Sequence, residues 1–296
     1  MSRTLSLVWV LCLPLPLAAQ QADVGWLREA PRQGAFAYVV VRAAAGDDVR
    51  EVRGTLAGTP LIFTAGDDST FVALAGVAVD APDSVALRVE LVRGGGRTTP
   101  VATSLPVSPA HFPSERLRVA PEFTRPPDSA LAVRITRESG LARAVSQLAL
   151  ATPRLSQGAF RAPCASAVTS RYGIGRVFNG VVQSRHLGTD FDGKVGDSVV
   201  ATNRGVVALV GNFYYAGRIV YVNHGAGLVS AYMHLSEVAV AAGDTVVAGQ
   251  LLGRVGRSGR VTGPHLHWSV KYGPLSLDGA TLLALPPLEG FARRAQ

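Results

Sequence analysis

Five of the six histidines lie in the C-terminal half of the chain, and their spacing restricts how that half can fold. His265 and His267 are two residues apart. On an extended strand, residues at this spacing point to the same face, with Cα atoms about 6.6 Å apart. We therefore predict that both imidazoles project from one strand into the same cleft.

His186 and Asp190 are four residues apart, at the other end of the same histidine-rich segment. On an extended strand their Cα atoms would be about 13 Å apart. That is too far for one ion, whose ligand bonds are about 2.0–2.2 Å long. The chain between them must therefore turn, and we expect the conformational freedom of Gly188 to allow the turn.

These residues form a candidate zinc site. Two imidazoles and one carboxylate, from His186, Asp190 and His267, supply three protein ligands. A zinc ion with three protein ligands keeps a fourth position for water or substrate, which is typical of a catalytic site rather than a structural one. We predict that these three residues bind one zinc ion per chain, and that His234 and His265 stand beside it to transfer protons.

Each part of this pattern also has a simpler interpretation. A single histidine beside a glycine-rich turn is usually a surface residue, and an H-x-H pair alone is a weak signal. The combination of H-x3-D, Y-x-H and H-x-H within one compact β-rich segment is a much stronger signal. His224, in an N-H-G sequence at a strand end, and His111, far upstream, are interpreted as structural or exposed residues.

Residues 170–271 resemble the lysostaphin-type zinc endopeptidases of bacterial cell walls. The resemblance covers roughly a third of the chain and rests on the segments S-R-Y-G, H-L-G-T-D-F-D, V-N-H-G-A-G-L-V-S-A-Y-M-H-L-S, G-D-T-V-V-A-G-Q-L-L-G-R-V-G and S-G-R-V-T-G-P-H-L-H-W. It implies the same three zinc ligands and makes His234 and His265 the catalytic pair. No signature position is missing, which argues against the degenerate members of the family that have lost ligands and activate other enzymes.

The resemblance implies a secreted zinc metalloendopeptidase that hydrolyses peptide bonds in peptidoglycan cross-links, with peptidoglycan peptide stems as its partner. The cleaved bond could be a D,D cross-link or a glycine bridge. Two other hypotheses remain open at this point. One is a non-cutting activator of a cell-wall amidase. The other is a secreted adhesion module in which the N-terminal domain is the functional part.

The chemistry of this site needs a base that is not glutamate, because the chain has no H-E-x-x-H sequence. Zinc lowers the pKa of its bound water to about 7. A histidine, whose unperturbed pKa is near 6.5, can take the proton of that water. We assign His265 as the general base and His234 as the group that stabilises the oxyanion or protonates the leaving amine, although the two roles could be exchanged.

The start of the chain and its charge indicate where it works. Residues 1–19 contain Arg3, an apolar run and a pair of alanines, which is typical of a signal peptide. The apolar run is too short for a stable membrane span. We expect export to the periplasm or the exterior of a bacterium, which leaves Cys164 as the sole cysteine, a small buried residue without a disulfide. The net charge of +8 suits an acidic partner, but no basic run of the nucleic-acid-binding kind is present.

The remaining sequence predicts a mainly β fold with two domains. Residues 24–106 contain short runs of β-branched and aromatic residues between Gly, Asp and Pro clusters, which predicts an immunoglobulin-like β-sandwich. Residues 107–160 are a predicted connector with one helix, capped by Asp128 or Ser129 and weakened in its middle by Gly140. We place an antiparallel-β zinc peptidase domain of lysostaphin type at residues 161–285 and a tail at residues 286–296.

Overall fold

The computed structural model describes residues 22–67, 69–180 and 182–291. The predicted signal peptide, residues 1–19, lies outside the described residues, as do residues 292–296 of the predicted tail. Strands account for 46% of the structure and helices for 14%. The prediction of a mainly β fold is therefore confirmed.

The N-terminal domain is built from seven antiparallel strands. They are β1 (Ala22–Trp26), β2 (Phe36–Ala43), β3 (Val49–Leu56), β4 (Thr59–Ala65), β5 (Thr70–Gly76), β6 (Ser84–Arg93) and β7 (Thr98–Pro106). Their order across one continuous sheet is β1-β2-β5-β4-β3-β6-β7. Strand β4 joins the two halves, since residues 59–62 pair with β3 and residues 63–65 pair with β5.

Apolar side chains from both halves of this sheet, among them Val39, Leu87 and Leu91, belong to one buried cluster. The two halves of the sheet therefore contribute to one core, which also includes residues of the C-terminal part such as Tyr232. Buried and exposed positions alternate along β6, as its sequence predicted. Gly95 and Gly96 have φ values of 78° and 80° in the 3-10 turn Gly94–Gly96 that reverses the chain into β7. Because all seven strands follow one hydrogen-bonded path, the immunoglobulin-like arrangement stays a prediction.

The connector holds a long helix, α1 (Ser129–Ala151), after a 3-10 turn at Pro121–Phe123. The carboxylate of Asp128 caps the helix by accepting a 2.8 Å hydrogen bond from the backbone N–H of Leu131. Gly140 does not interrupt the helix. Its cost of about 1 kcal/mol is offset because Val145 and Ala149 are buried against the C-terminal sheet.

The connector also contains a strand that the sequence analysis did not predict. This is β8 (Ser114–Leu117), which precedes α1. It follows the N-terminal domain in the chain and pairs in parallel with residues 175–178 of the C-terminal domain, from Ser114 opposite Gly175 to Leu117 opposite Phe178. The connector is thus an integral part of the C-terminal fold.

The C-terminal domain contains the remaining strands and a short helix. They are β9 (Val168–Ser170), β10 (Gly175–Phe178), β11 (Val182–Arg185), β12 (Thr189–Asp192), β13 (Ser198–Val200), β14 (Gly205–Phe213), β15 (Gly217–Gly225), β16 (Leu228–Leu235), β17 (Glu237–Val238), β18 (Thr245–Val246), β19 (Leu251–Arg254), β20 (His265–Tyr272), β21 (Leu275–Leu277) and α2 (Gly279–Ala284), followed by a 3-10 turn at Leu288–Gly290. The main sheet has the order β18-β14-β15-β16-β20-β12-β9, with β21 paired to β20. Two three-stranded sheets, β13-β19-β17 and β11-β10-β8, flank it.

The two domains are packed together through the last strands of the chain. The Tyr272 hydroxyl donates a 3.0 Å hydrogen bond to the carbonyl of Pro60, and the backbone N–H of Phe36 donates a 2.9 Å bond to Thr281 Oγ1. Leu277 is fully buried against Gly76. Across the described ranges, none of the helices has the length and apolar character needed to cross a membrane.

Candidate metal centre and catalytic groove

Two neighbouring strands and one tight link position the predicted zinc ligands. Asp190 on β12 lies directly opposite His267 on β20 in the antiparallel pair. His186 follows the end of β11, and its backbone N–H donates a 2.8 Å hydrogen bond to the carbonyl of Ile174. The link of residues 186–188 then turns the chain into β12, so that residues four apart in sequence meet side by side.

The three predicted ligand atoms form a compact triangle. His186 Nε2 lies 2.9 Å from Asp190 Oδ1 and 3.0 Å from His267 Nδ1, and His267 Nδ1 lies 2.7 Å from Asp190 Oδ1. His186 and Asp190 are buried, and His267 is partly exposed. With these sides, each corner lies about 1.7 Å from the centre, so an ion with ligand bonds of about 2.1 Å fits just above the plane.

The hydrogen bond on the far side of the His186 ring tests whether a cation suits this triangle. His186 Nδ1 lies 2.8 Å from the carbonyl oxygen of Arg171, which can only accept a hydrogen bond. In the neutral ring Nδ1 therefore carries the proton, and Nε2 directs a lone pair toward the carboxylate oxygen of Asp190. Lone pairs in such close contact repel one another unless a proton or a cation lies between them, so the donor set fits a bound metal ion.

The second carboxylate oxygen of Asp190 is held by an arginine that the sequence analysis did not identify. Arg176 donates a 2.6 Å hydrogen bond from Nη2 to Asp190 Oδ2, a 2.9 Å bond to Ser170 Oγ, and a 2.7 Å bond from Nε to Glu115 Oε1. This chain of contacts keeps Oδ1 turned toward the histidines. Residues that hydrogen-bond to a metal ligand without touching the metal orient that ligand and affect metal affinity.

These contacts were missed because no local spacing links them. Arg176 and Glu115 are 61 residues apart, and β8 brings them together. Ser170 belonged to the S-R-Y-G segment of the resemblance but was given no role. The sequence held no signal for Glu115.

The surroundings of the site favour an ionised carboxylate at Asp190 and an uncharged ring at His234. Burial acts to raise the pKa of Asp190, but the contacts with His186 and His267 outweigh it and hold this pKa well below its ordinary value. Burial, together with the nearby His267 and His265, lowers the pKa of His234 to about 3. A ring with this pKa is uncharged at neutral pH.

His234 and His265 stand side by side next to the triangle, with ring centroids 4.9 Å apart. His234 Nδ1 lies 2.8 Å from the carbonyl oxygen of Ser258, and His265 Nδ1 lies 2.9 Å from that of Gly263. Both Nδ1 atoms therefore carry a proton in the neutral rings, which makes each Nε2 the proton acceptor. His265 Nε2 is 3.8 Å from Asp190 Oδ1, so it reaches the metal site.

His234 has an unusual backbone conformation, with φ of 64°. This left-handed region is unfavourable for a residue with a side chain and costs on the order of 1–3 kcal/mol at functional sites. The backbone N–H of His234 donates a 2.9 Å hydrogen bond to the carbonyl of Ala216, which holds this conformation. The fold thus maintains strain at one of the two predicted catalytic residues.

Gly188 permits the turn for a different reason from the one expected. Its φ is not in the positive region, so glycine's conformational freedom is not what the turn requires. A Cβ atom at this position would instead lie 2.5 Å from His267 Nε2 and 2.7 Å from the carbonyl oxygen of Trp268. The site needs glycine because β20 and its ligand pass so close to the link.

Four of the five predicted residues line an open groove with a volume of about 370 Å³. The fifth, His186, is buried beside it. One wall is formed by residues of the connector, Leu117 and Val119 among them. Tyr215 and Arg260 belong to the lining on the side of the β14–β15 turn. The groove is open to solvent.

The other residues named in the sequence analysis lie away from the groove. His224 is completely buried, with Nδ1 2.8 Å from the carbonyl oxygen of Arg204 and Nε2 2.7 Å from Ser230 Oγ. His111 is exposed, so both histidines agree with the interpretation given to them. Cys164 is half-buried rather than fully buried, and burial raises the pKa of its thiol.

Residues 184–278 match the sequence model of peptidase family M23. This part of the chain is therefore similar to peptidase family M23. The match begins at β11 and ends just before α2, so it includes every predicted ligand and catalytic histidine of the M23 domain. Together with the His–Asp–His cluster, it makes zinc the cofactor of this protein.

Two similar proteins of the bacterium Vibrio cholerae match the same part of the chain. The peptidoglycan DD-endopeptidase ShyA of Vibrio cholerae is 44% identical over 85 residues, which are 29% of this chain and 20% of ShyA. The peptidoglycan DD-endopeptidase ShyC of the same organism is 40% identical over 111 residues, 38% of this chain and 25% of ShyC. The chain thus spans a quarter or less of the length of these relatives.

A solved structure extends the likeness of fold beyond the M23 domain. The crystal structure of a candidate M23 peptidase from Pseudomonas aeruginosa aligns with 86% of this chain and 96% of its own, with a TM-score of 0.64 and 24% identity. The two proteins share their fold. Because the alignment reaches far outside residues 184–278, the shared fold includes most of the N-terminal domain and the connector.

Proposed function

We propose that this protein is a zinc metalloendopeptidase that hydrolyses peptide bonds in the cross-links of peptidoglycan. The observation that carries the proposal is the triangle of His186 Nε2, Asp190 Oδ1 and His267 Nδ1 beside an open groove. Two histidines with acceptor nitrogens stand next to it. The names of the similar proteins ShyA and ShyC supply the substrate class.

His186, Asp190 and His267 are the residues that would hold the ion. When bound there, zinc supplies a Lewis acid and a water whose pKa is near 7. Arg176 keeps the carboxylate of Asp190 in the orientation that offers Oδ1, and Glu115 holds Arg176. The peptide lies along the groove, where the connector wall and the opposite side of the groove limit its position.

His265 takes the proton of the attacking water at Nε2 in this proposal. Its Nδ1–H bond to the carbonyl of Gly263 fixes the tautomer that makes Nε2 an acceptor. The proton that His265 takes up is the one that finally reaches the leaving amine, and His234 either passes this proton on to the amine or uses it to stabilise the oxyanion. Because Nδ1 of His234 is bound to the carbonyl of Ser258, its Nε2 becomes a donor only after it has taken up a proton.

We further infer that the protein acts outside the cytoplasm, since peptidoglycan is an extracytoplasmic material. Residues 1–19 would serve as the signal peptide, and the destination would be the periplasm or the exterior of the cell. The predicted division into a sandwich domain (24–106), a connector (107–160), a peptidase domain (161–285) and a tail (286–296) is kept as a proposal. Its connector contributes Glu115 to the site and would therefore belong to the functional unit.

The proposed function is tested by incubating the zinc-loaded protein with purified peptidoglycan sacculi, with and without a zinc chelator. Mass spectrometry of the products should show loss of cross-linked peptides that the chelator prevents, and it would identify the bond that is cleaved. Intact cross-links after incubation with zinc-loaded protein would contradict the proposal. An increase of amidase activity on addition of the same protein would then favour the non-cutting activator.

A further inference from the structure

Arg260 contributes a positive charge to the lining of the groove and contacts aromatic side chains from two different segments. Its guanidinium carbon lies 4.3 Å from the ring centroid of Phe178 on β10 and 4.6 Å from that of Tyr215 in the β14–β15 turn. Its backbone N–H donates a 2.8 Å hydrogen bond to the carbonyl of Tyr215. The guanidinium is therefore held in one place by stacking and by its own backbone.

No carboxylate of the described residues lies within ion-pair distance of Arg260. The other groove arginine, Arg176, is instead bound to both Glu115 and Asp190. Arg260 is half-buried, and burial lowers the pKa of its guanidinium. A partly desolvated cation without an acidic partner is costly, and it gains most from a negatively charged ligand that enters the groove.

The contacts of Arg260 leave its guanidinium ready for one class of ligand. Its guanidinium carbon lies over the rings of Phe178 and Tyr215, and its side-chain N–H groups form no hydrogen bond to the described residues. A guanidinium edge matches the two oxygens of a carboxylate in a bidentate pair. Because the aromatic contacts already fix the side chain, little conformational entropy is lost when such a pair forms.

The position of Arg260 in the chain connects it with the proton-transfer residues. It lies between Ser258, whose carbonyl binds His234, and Gly263, whose carbonyl binds His265. A ligand group bound by Arg260 is therefore held against the same loop that positions both histidines. Binding at this point would set the register of a peptide relative to the site.

We propose that Arg260 forms a subsite for a free carboxylate of the peptide substrate and that this contact selects acidic peptide stems. The inference rests on the proposed function, because it names the part of the substrate that this groove recognises. It makes Arg260 a determinant of specificity rather than a zinc ligand or a proton carrier.

The test is a binding measurement with two versions of one probe. The probe is a fluorescent peptide stem without a cross-link, in one form with free carboxylates and in another with carboxamides, titrated with zinc-loaded protein. A charge-assisted hydrogen bond of this kind corresponds to about a 10- to 100-fold preference for the carboxylate form. R260Q should lose most of this preference by weakening binding of the carboxylate form alone. R257Q is the matched control, because Arg257 is an exposed residue three positions earlier and should leave the preference unchanged.

Two results would overturn the inference. One is a wild-type protein that binds both forms equally. The other is an R260Q protein that keeps the preference, or that binds both forms more weakly by the same factor, which would indicate that Arg260 only braces the groove. If R260Q does not fold, R260K decides instead. R260K retains the positive charge but lacks the planar guanidinium, so its preference for the carboxylate form should be smaller than that of the wild type. An unchanged preference would contradict a bidentate contact.

Cleavage of sacculi by the wild-type protein is measured separately, so the two proposals can fail independently. Cleavage without a carboxylate preference would refute the subsite and leave the peptidase proposal standing. In the opposite case, the wild-type protein cleaves nothing, but it prefers the carboxylate form and R260Q does not. That result would support the subsite and refute the peptidase proposal.

Discussion

Adding one methyl group at position 188 should disable the metal centre. In Gly188→Ala, the new Cβ would lie 2.5 Å from Nε2 and 2.7 Å from Cε1 of His267, and 2.7 Å from the carbonyl oxygen of Trp268. Carbon atoms do not approach other heavy atoms so closely without displacement. The peptide carbonyl of Trp268 is held in β20 between two hydrogen-bonded neighbours, β12 and β16, so we expect the ring of His267 to move.

The size of the effect follows from these contacts. Overpacking a close-fitting site costs about 1–3 kcal/mol, which should lower the free energy of unfolding by that amount. Displacing one ligand ring should weaken zinc binding at least as much as the loss of an outer-shell partner, which is typically about 10- to 100-fold. A 10- to 100-fold loss of zinc affinity corresponds to about 1.4–2.7 kcal/mol, so the losses of zinc-binding free energy and of stability should be of similar size.

The assay is competition for zinc against a chromophoric chelator, combined with urea unfolding of the metal-free protein. Gly25→Ala is the matched control, because a Cβ at Gly25 would meet nothing within 4 Å. We expect the control to bind zinc like the wild type. A Gly188→Ala protein with wild-type zinc affinity would refute the reasoning, since it would show that the link or β20 can shift without disturbing the ligands.

Three further predictions concern the site and its surroundings. His267→Ala should lose zinc, whereas His265→Ala should keep zinc and lose turnover; elemental analysis and a sacculus assay separate the two, and zinc retained by His267→Ala would contradict the ligand assignment. Glu115→Gln should weaken zinc binding about 10-fold, because it releases the arginine that orients the carboxylate of Asp190. Glu51→Gln is the control: it removes a carboxylate from an exposed ion pair and should leave zinc affinity unchanged. Burial lowers the pKa of His224 from 6.5 to about 4, so the unfolded chain takes up a proton at higher pH than the folded one. The free energy of unfolding should therefore fall by up to about 3 kcal/mol as the pH drops from 6.5 to 4. In urea titrations His224→Gln should show a smaller fall; an equal fall would refute the assignment of this pH dependence to His224.

Local patterns in the sequence predicted the parts of the site that depend on strand geometry. His265 and His267 do lie on one strand, because the two-residue period of β structure fixes their common face. The need for a turn after His186 followed from the length of an extended chain. The pairing of Asp190 with His267 did not follow, since the register between strands 77 residues apart is set by the whole sheet.

The sequence also failed where tertiary contacts decide the outcome. Strand β8 was not predicted, because its pairing with β10 gives it a structure that four residues cannot specify alone. The middle of α1 remained helical despite Gly140, since packing on the sheet outweighs local propensity. The steric role of Gly188 was visible only when β20 was in place.

The central claim is that one zinc ion is bound by His186, Asp190 and His267, and diffraction at the zinc absorption edge tests it most directly. Crystals of the zinc-loaded protein should show one anomalous peak within about 2.0–2.2 Å of His186 Nε2, Asp190 Oδ1 and His267 Nδ1. His234 and His265 should lie beside the ion without coordinating it. A peak at any other residues, or coordination by His234 or His265 in place of one of the three ligands, would contradict the account.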